Sequence, residues 1–352
     1  MPLAEITIQN LRCIERAQLG LHSGHNLIWG NNGSGKTSLL EAIFLLGRGR
    51  SFRTRNSPRL IRRGCEELVV FGRTTDLVAT ALGVRVSPTE GTTAKIAGAT
   101  VRSLAELSQA LAVQVIEPGV HHLVEEGGAT RRRWLDWGVF HLEPQFVDAW
   151  VRYSRALKQR NAALKSQPAQ ALIWEPELAR AGEQIADWRG SFLQRLQPYW
   201  TEAVRSLSGL EVELQYLRGW TQELPLAEAL ILSRARDEAR GVTHPGPHRA
   251  DVAVRLQGRQ AREVLSRGQQ KLVAVAMTLA QLFLLQDATP TSPTLLLDDP
   301  AAELDRAHLA RFIEQVRRLK CQLVVTALAP EIQPFGAPDR VFHVEQGGVQ
   351  PV

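Results

Sequence analysis

Gly30-Asn31-Asn32-Gly33-Ser34-Gly35-Lys36-Thr37 is a glycine-rich run that ends in a lysine and a hydroxyl. It fits the pattern G-x-x-x-x-G-K-[ST], and its flanks fit as well. Leu27-Ile28-Trp29 ahead of it makes a short apolar strand. Behind it, residues 38–46 read as a buried helix with Leu39, Leu40, Ile43 and Phe44 on its apolar side, closed by Gly47. Strand, glycine loop, lysine, hydroxyl and helix in that order form an anion cradle. The glycines let backbone N–H groups turn inward, and the helix start adds the positive end of its dipole. Lys36 offers a mobile charge for β- and γ-phosphates, and Thr37 a hydroxyl for Mg2+. Gly30, Asn31, Asn32, Gly33, Ser34, Gly35, Lys36, Thr37 and Ser38 are therefore predicted to hold ATP.

A second chemical signal lies far downstream. Thr294-Leu295-Leu296-Leu297-Asp298-Asp299 is an apolar strand ending in two carboxylates. If that strand lies parallel to the phosphate-loop strand, Asp298 reaches the Mg2+ position with Thr37. Asp299 is then the candidate catalytic base that orients an attacking water, beside Lys36. Between the two motifs, Leu265-Ser266-Arg267-Gly268-Gln269 precedes a long apolar helix over residues 271–286. Ser266, Gly268 and Gln269 at a helix start make a second candidate anion site.

The remaining chain sets the frame. Ile6 and Ile8 alternate with Thr7 and Gln9, which predicts a strand. Residues 67–101 break into short β-rich runs with Gly and Thr turns, which predicts an antiparallel meander. Ser103 is placed to cap a short helix through Ala110, and residues 113–116 follow as a strand. From about 130 to 208 strand signals vanish and Trp, Leu, Ala, Arg and Gln dominate, with breaks expected near Pro168, Pro176 and Pro198. Residues 211–217 alternate again and are expected to return the chain to the first domain. The predicted organisation is a head of residues 1–128 and 209–352 with a helical lobe, 129–208, inserted into it.

Bulk properties exclude other classes. The 352 residues are 44% hydrophobic and 22% charged, the balance of a globular chain. No uninterrupted apolar run of about 18 residues occurs, so no membrane span is expected. The N-terminus has no basic head followed by an apolar block, so no secretion signal is expected, and a cytoplasmic location is the expectation. Cys13, Cys65 and Cys321 lie far apart, without metal-ligand spacing, and are expected to be reduced. The nine histidines show no H-x-x-x-H-type metal pattern on a predicted helix, since His244 and His248 flank Pro245-Gly246-Pro247, and His121-His122 reads as an exposed loop pair. Of 42 basic residues, 36 are Arg and six are Lys, with a net charge of +6.

The motifs in order resemble those of ABC-type ATPases. Leu265 to Gln269 is similar to their L-S-G-G-Q signature, with Arg267 replacing a glycine. The roughly 230 positions from Lys36 to Ser266 are too many for an ordinary transporter subunit and too few for the coiled coil of an SMC protein. Nearly the whole chain is similar to the RecF family. Asn10-Leu11-Arg12 resembles its N-[FL]-R, Ser51-Phe52-Arg53 its S-x-R, and Arg131 to Asp136 its R-R-x-[FW]-L-D. Thr243 with Gly246-Pro247-His248-Arg249 resembles its T-x-x-G-P-H-R, Ser266 to Lys271 its S-x-G-Q-x-K, and residues 295–305 its L-L-L-D-D-x-x-x-E-L-D.

That resemblance implies an α/β P-loop NTPase, an ABC-type ATPase head with an antiparallel β subdomain plus the inserted helical lobe. It implies a head-to-tail homodimer formed on ATP binding, in which Ser266 of one copy faces the triphosphate on another's phosphate loop. It further implies DNA repair and replication-fork recovery, binding of double-stranded and gapped DNA, and work with RecR and RecO to load RecA. Ala250 stands where the family usually has Asp. Thr326 stands where transporters carry a switch His, so no imidazole senses the γ-phosphate there. Asp299 is shorter than the transporters' Glu, so slow, DNA-stimulated hydrolysis is expected: a switch rather than a motor.

For DNA the candidate is the segment between Glu41 and Glu66. It has no acidic residue and seven arginines: Arg48, Arg50, Arg53, Arg55, Arg59, Arg62 and Arg63. Ser51, Thr54 and Asn56 among them can also donate to phosphate. Arg131 to Arg133, Arg152, Arg155, Lys158 and Arg160 are further candidates, and Arg12, Arg53 and Arg249 are alternatives for nucleotide contact. The lobe tryptophans read as core. The sequence is compatible with a DNA-repair switch, a transporter energiser, and an ATP-gated scaffold with negligible hydrolysis.

Overall fold

The computed structural model describes residues 2–75, 79–331 and 335–352. The chain forms two compact units, Met1–Val120 with Leu285–Val352, and His121–Leu284.

The first unit contains two six-stranded sheets. One runs in the order Gly348–Pro351, Arg340–Glu345, His25–Trp29, Gln322–Ala327, Thr294–Leu297, Val113–Ile116, and its four pairings from Arg340–Glu345 onward are parallel. Strands buried on both faces are apolar through their middle, as residues 295–297 and 323–325 are, and every residue of Thr294–Leu297 and Gln322–Ala327 is buried. The register sets Ala327 beside Trp29 and Val325 beside Leu297. Gly30 and Asp298 therefore leave the sheet at the same carboxyl edge, where open α/β sheets bind ligands.

The other sheet is antiparallel, in the order Ile14–Gly20, Leu3–Leu11, Leu68–Thr74, Ala81–Ser87, Gly91–Ile96, Ala99–Thr100. It contains the meander read from residues 67–101. The phosphate-loop helix, Lys36–Arg48, packs Leu39, Leu40, Ile43, Leu45 and Leu46 into one core with both sheets, alongside Ile8, Val70, Leu296 and Val324. Each such side chain contributes about 1.5–3 kcal/mol by leaving water. The helix does not stop at Gly47. A Cβ there would lie 2.4 Å from Val113 Cγ1, so Gly47 serves close packing. Gly49, at φ 63°, ends the helix by donating its N–H to Leu45.

The second unit holds the helices Gly128–Leu142, Phe146–Ser166, Glu175–Ser208 and Leu226–Arg240, and a three-stranded sheet in the order Arg259–Gln260, Asp251–Leu256, Val212–Leu217. Val212–Leu217 thus pairs within this unit and does not return to the first unit's sheets. Pro168 and Pro176 sit in the first turns of their helices, where no N–H is needed. Pro198 lies inside Glu175–Ser208 without ending it. Trp134, Trp137 and Trp200 are buried core.

Buried charge organises this unit. Arg160, wholly buried, donates to Asp237, Glu175 and Thr243, and Thr243 in turn donates to Asn161. Arg189, also wholly buried, donates to both carboxylate oxygens of Asp136 and to Pro247 O. Thr243, Pro247 and His248 therefore spend their polar groups inside the unit. The helix Arg267–Ala288 is long and apolar enough to cross a membrane by length and composition, yet 72% of that window is buried in the protein.

Candidate functional site

The phosphate loop leaves the strand at Trp29 and turns at Gly30, whose N–H donates to Ala327 O. A Cβ on Gly30 would lie 2.2 Å from Val344 O, so only glycine allows the neighbouring strand this close. Gly35 sits at φ 119° immediately before the helix, a conformation that side chains rarely adopt. Lys36 folds back over the loop, its Nζ donating to Gly30 O at 2.6 Å and Asn31 O at 3.0 Å. Burial lowers the Lys36 pKa, opposed by the negative charges of Asp299 and Asp298. Asn31, Asn32 and Gly33 are exposed, whereas Ser34, Lys36 and Ser38 are buried.

Thr37 and Asp298, 261 positions apart, meet at the sheet edge. Thr37 Oγ1 donates within 3.0 Å of each carboxylate oxygen of Asp298. A hydroxyl and a carboxylate side by side form an all-oxygen donor set, suited to a hard cation such as Mg2+. Thr326 completes the edge. Its Oγ1 donates to Asp298 Oδ1 at 2.9 Å and accepts the Asp299 N–H at 2.9 Å. Asp299 takes the left-handed conformation at φ 46°. Thr326, noted in the sequence for its lack of an imidazole, thus orients both carboxylate residues. The Glu303 side chain lies outside the described residues.

Arg12 stands beside the helix rather than in the loop. Its Nη2 donates to Glu41 Oε1 at 2.9 Å and its Nε to Glu41 Oε2. The neighbouring Cys13 backs the loop, with its Sγ 3.1 Å from a Cβ built on Gly35. In the second unit, Ser266, Arg267, Gly268 and Gln269 are exposed at the start of Arg267–Ala288. Ser266 Oγ accepts the Gln269 N–H, and Gln269 Oε1 accepts the Ser266 N–H, a reciprocal capping box. Among the described residues, no atom beyond the helix's own backbone and the chain neighbours lies within 4 Å of a Cβ built on Gly268.

The arginine-rich segment divides. Arg53, Arg55, Arg59 and Arg63 are exposed. Arg62 is committed to Cys13 O and Glu15, and Arg48 lies over the Phe44 ring. Arg50 is half-buried and has partners. Ser51 is buried and turned inward, so its hydroxyl is not offered to phosphate. Among the other basic candidates, Arg131 is buried against Asp251 and three backbone carbonyls, and Arg160 is wholly buried. Both are structural. The carboxylate after Arg249 comes from Asp251, one position past the buried Ala250, and it is Asp251 that holds Arg131. His121 and His122 both face Glu125, at 3.5 and 3.6 Å.

Residues 2–348 match the model of the RecF/RecN/SMC N terminal domain. A DNA replication and repair protein RecF from Vibrio atlanticus (strain LGP32) is 38% identical, over 99% of both chains. The chain belongs to the RecF family. A solved structure of the recombination mediator protein RecF-ATP in the RecFOR pathway superposes with a TM-score of 0.89 at 26% identity, covering 99% of this chain and 97% of that one. An Smc head bound to the C-winged helix domain of ScpA shares the fold, with a TM-score of 0.57 at 16% identity over 100% of this chain and 97% of that one. RecF-family membership agrees with the ABC-type ATPase fold expected from the sequence.

Proposed function

We propose that this RecF-family protein is an ATP-dependent DNA-binding switch of recombinational repair and replication-fork recovery, acting in the cytoplasm. The observation that carries the reading is the convergence of Lys36, Thr37, Asp298 and Asp299 at one carboxyl edge of the sheet. Gly30 to Ser38 cradle the phosphates and Lys36 supplies charge to them. Thr37 and Asp298 would hold Mg2+, which when bound neutralises phosphate charge. Asp299 orients water, with its amide pinned by Thr326 and its short side chain keeping turnover slow. Arg12 reaches the nucleotide from the side.

Dimerisation follows from the exposed tip at Ser266, Gly268 and Gln269, which we assign to the triphosphate held by another copy. The arginines at 53, 55, 59 and 63 are assigned to duplex and gapped DNA, with Arg48, Arg50 and Arg62 playing supporting roles. Contacts of this kind go to the backbone and weaken steeply with salt. By family likeness, RecO, RecR and RecA act with this protein, and ATP is the nucleotide found with a solved relative.

The test is the size of the purified protein with ATP, ADP or no nucleotide, each with and without duplex DNA. Dimers formed with ATP alone, and tighter DNA binding by them, are expected. A size that ignores nucleotide would reject the reading. A turnover assay distinguishes the switch from a non-hydrolysing scaffold, since only the switch gains turnover from DNA.

A further inference from the structure

Glu41 lies in the second turn of the phosphate-loop helix and is wholly buried. A buried carboxylate is costly unless it is paired and hydrogen-bonded. Two other segments satisfy this one. Arg12 binds it through two guanidinium nitrogens, and Ser51 Oγ donates to its Oε1. Arg53 Nη1 stands off at 4.0 Å from Oε2. The Ser51 oxygen also accepts the N–H groups of Arg53 at 2.9 Å and Thr54 at 3.0 Å, which fixes the first turn of the arginine-rich segment. Phe52 packs edge-on against Phe44 of the same helix. The far end of the segment is tied to the Arg12 turn, since Arg12 N donates to Leu60 O and Arg62 N to Asn10 O.

One carboxylate therefore joins the helix that carries Lys36 and Thr37, the turn that carries Arg12, and the start of the segment that carries the exposed arginines. We propose that Glu41 and Ser51 are the positioning pair through which nucleotide at the phosphate loop sets the conformation of the arginine-rich segment and so its grip on a nucleic-acid backbone. This rests on the nucleotide and DNA reading above. Arg12 keeps a quarter of its side chain exposed, and an incoming polyphosphate competes with Glu41 for its guanidinium. Each step Arg12 takes away leaves a buried carboxylate short of a cation. Arg53, already within 4.0 Å, is the replacement, and its approach remodels the turn that Ser51 fixes. Two alternative cations for one buried anion give the two-state element that coupling requires.

The experiment uses the full chain. Affinity for labelled duplex DNA is measured at one salt concentration, with and without saturating ATP and Mg2+, and ATP affinity is measured separately without DNA. The ratio of the two DNA affinities is the coupling factor, typically about 5- to 150-fold. In Ser51→Ala, ATP affinity should stay within about twofold of the parent while the factor falls toward one. Ser51→Thr, which restores a hydroxyl, should recover it. Thermal melting of both variants checks that the fold is kept, and a purely structural Ser51 would lower melting without altering the factor. A Ser51→Ala variant with the parental factor overturns the relay. So does a parent chain that binds ATP normally but whose DNA affinity ignores it. A parent chain that binds no ATP overturns the nucleotide reading itself, and the relay with it.

Discussion

Thr37 Oγ1 lies 3.0 Å from both carboxylate oxygens of Asp298, so the hydroxyl of one motif is seated on the acid of another. Neither group is a strong cation ligand alone; together they present three oxygens to one point. Asp298→Asn keeps the shape and removes the charge. Calorimetric titration with ATP should show the parent losing about tenfold or more in affinity when Mg2+ is chelated, whereas Asp298→Asn should bind equally weakly with and without Mg2+. An unchanged Mg2+ dependence in the variant would remove Asp298 from the cation site.

Lys36 donates to two loop carbonyls from a nearly buried position. A guanidinium is broader and planar, and it does not fit a cradle made for a point charge. Lys36→Arg is expected to weaken ATP binding by about tenfold, or to abolish turnover, without lowering the melting temperature. Normal ATP binding and hydrolysis in that variant would contradict the phosphate-loop assignment.

Thr326 bridges Asp298 Oδ1 and the Asp299 N–H. Thr326→Val preserves volume but leaves that N–H without an acceptor, at a cost of about 1–3 kcal/mol. The melting temperature should fall by several degrees, and hydrolysis should fall further than ATP affinity, because Asp299 loses its fixed orientation. Thr326→Ser should restore both. Equal turnover in the valine variant would show that Asp299 needs no such support.

Local chemistry was legible in the sequence where it depends on neighbours along the chain. The glycine loop, the hydroxyl after the lysine, and the double acid at a strand end are all of this kind. Partnerships across long separations were not. Arg131 and Arg160 read as basic surface because Asp251 and Asp237, which bury them, lie 120 and 77 positions away. Glu41 looks like an ordinary polar residue of a helix until Arg12 and Ser51 are set against it. Gly47 and Gly49 both qualify as helix stops by composition, and only the approach of Val113 separates a packing glycine from a capping one. The strand Val212–Leu217 was readable from its alternation, but alternation does not name the pairing partner, which is Asp251–Leu256.

Ser266 and Gln269 cap each other at an exposed helix start. A large cation at position 266 would block approach of another copy's triphosphate without touching the phosphate loop of its own chain. Ser266→Arg should bind ATP as the parent does and stay monomeric in light scattering with ATP and Mg2+. ATP-dependent dimers of normal size in that variant would reject the composite site. The lost cap should itself cost about 1 kcal/mol, readable as a small drop in melting temperature.

His248 supplies a pH test of the second unit. Its Nε2 donates to Thr243 O at 3.0 Å, so its Nδ1 accepts the Tyr153 hydroxyl at 2.6 Å, which fixes a neutral imidazole. Burial, aided by the nearby charges of Arg249 and Arg132, lowers its pKa from 6.5 to about 4. Between these values the unfolded chain takes up a proton that the folded chain does not, so stability falls as pH drops from about 6.5 and levels off below about 4. The loss is ~3 kcal/mol at most. Urea unfolding at pH 7 and pH 5 should show a lower midpoint at pH 5 in the parent. His248→Gln, which offers both an acceptor and a donor without titrating, should show a smaller drop over the same interval. A parent and a variant with the same pH dependence would mean that this imidazole takes up its proton equally in the folded and unfolded chain, and the Tyr153–His248–Thr243 bonding would have to be reassigned.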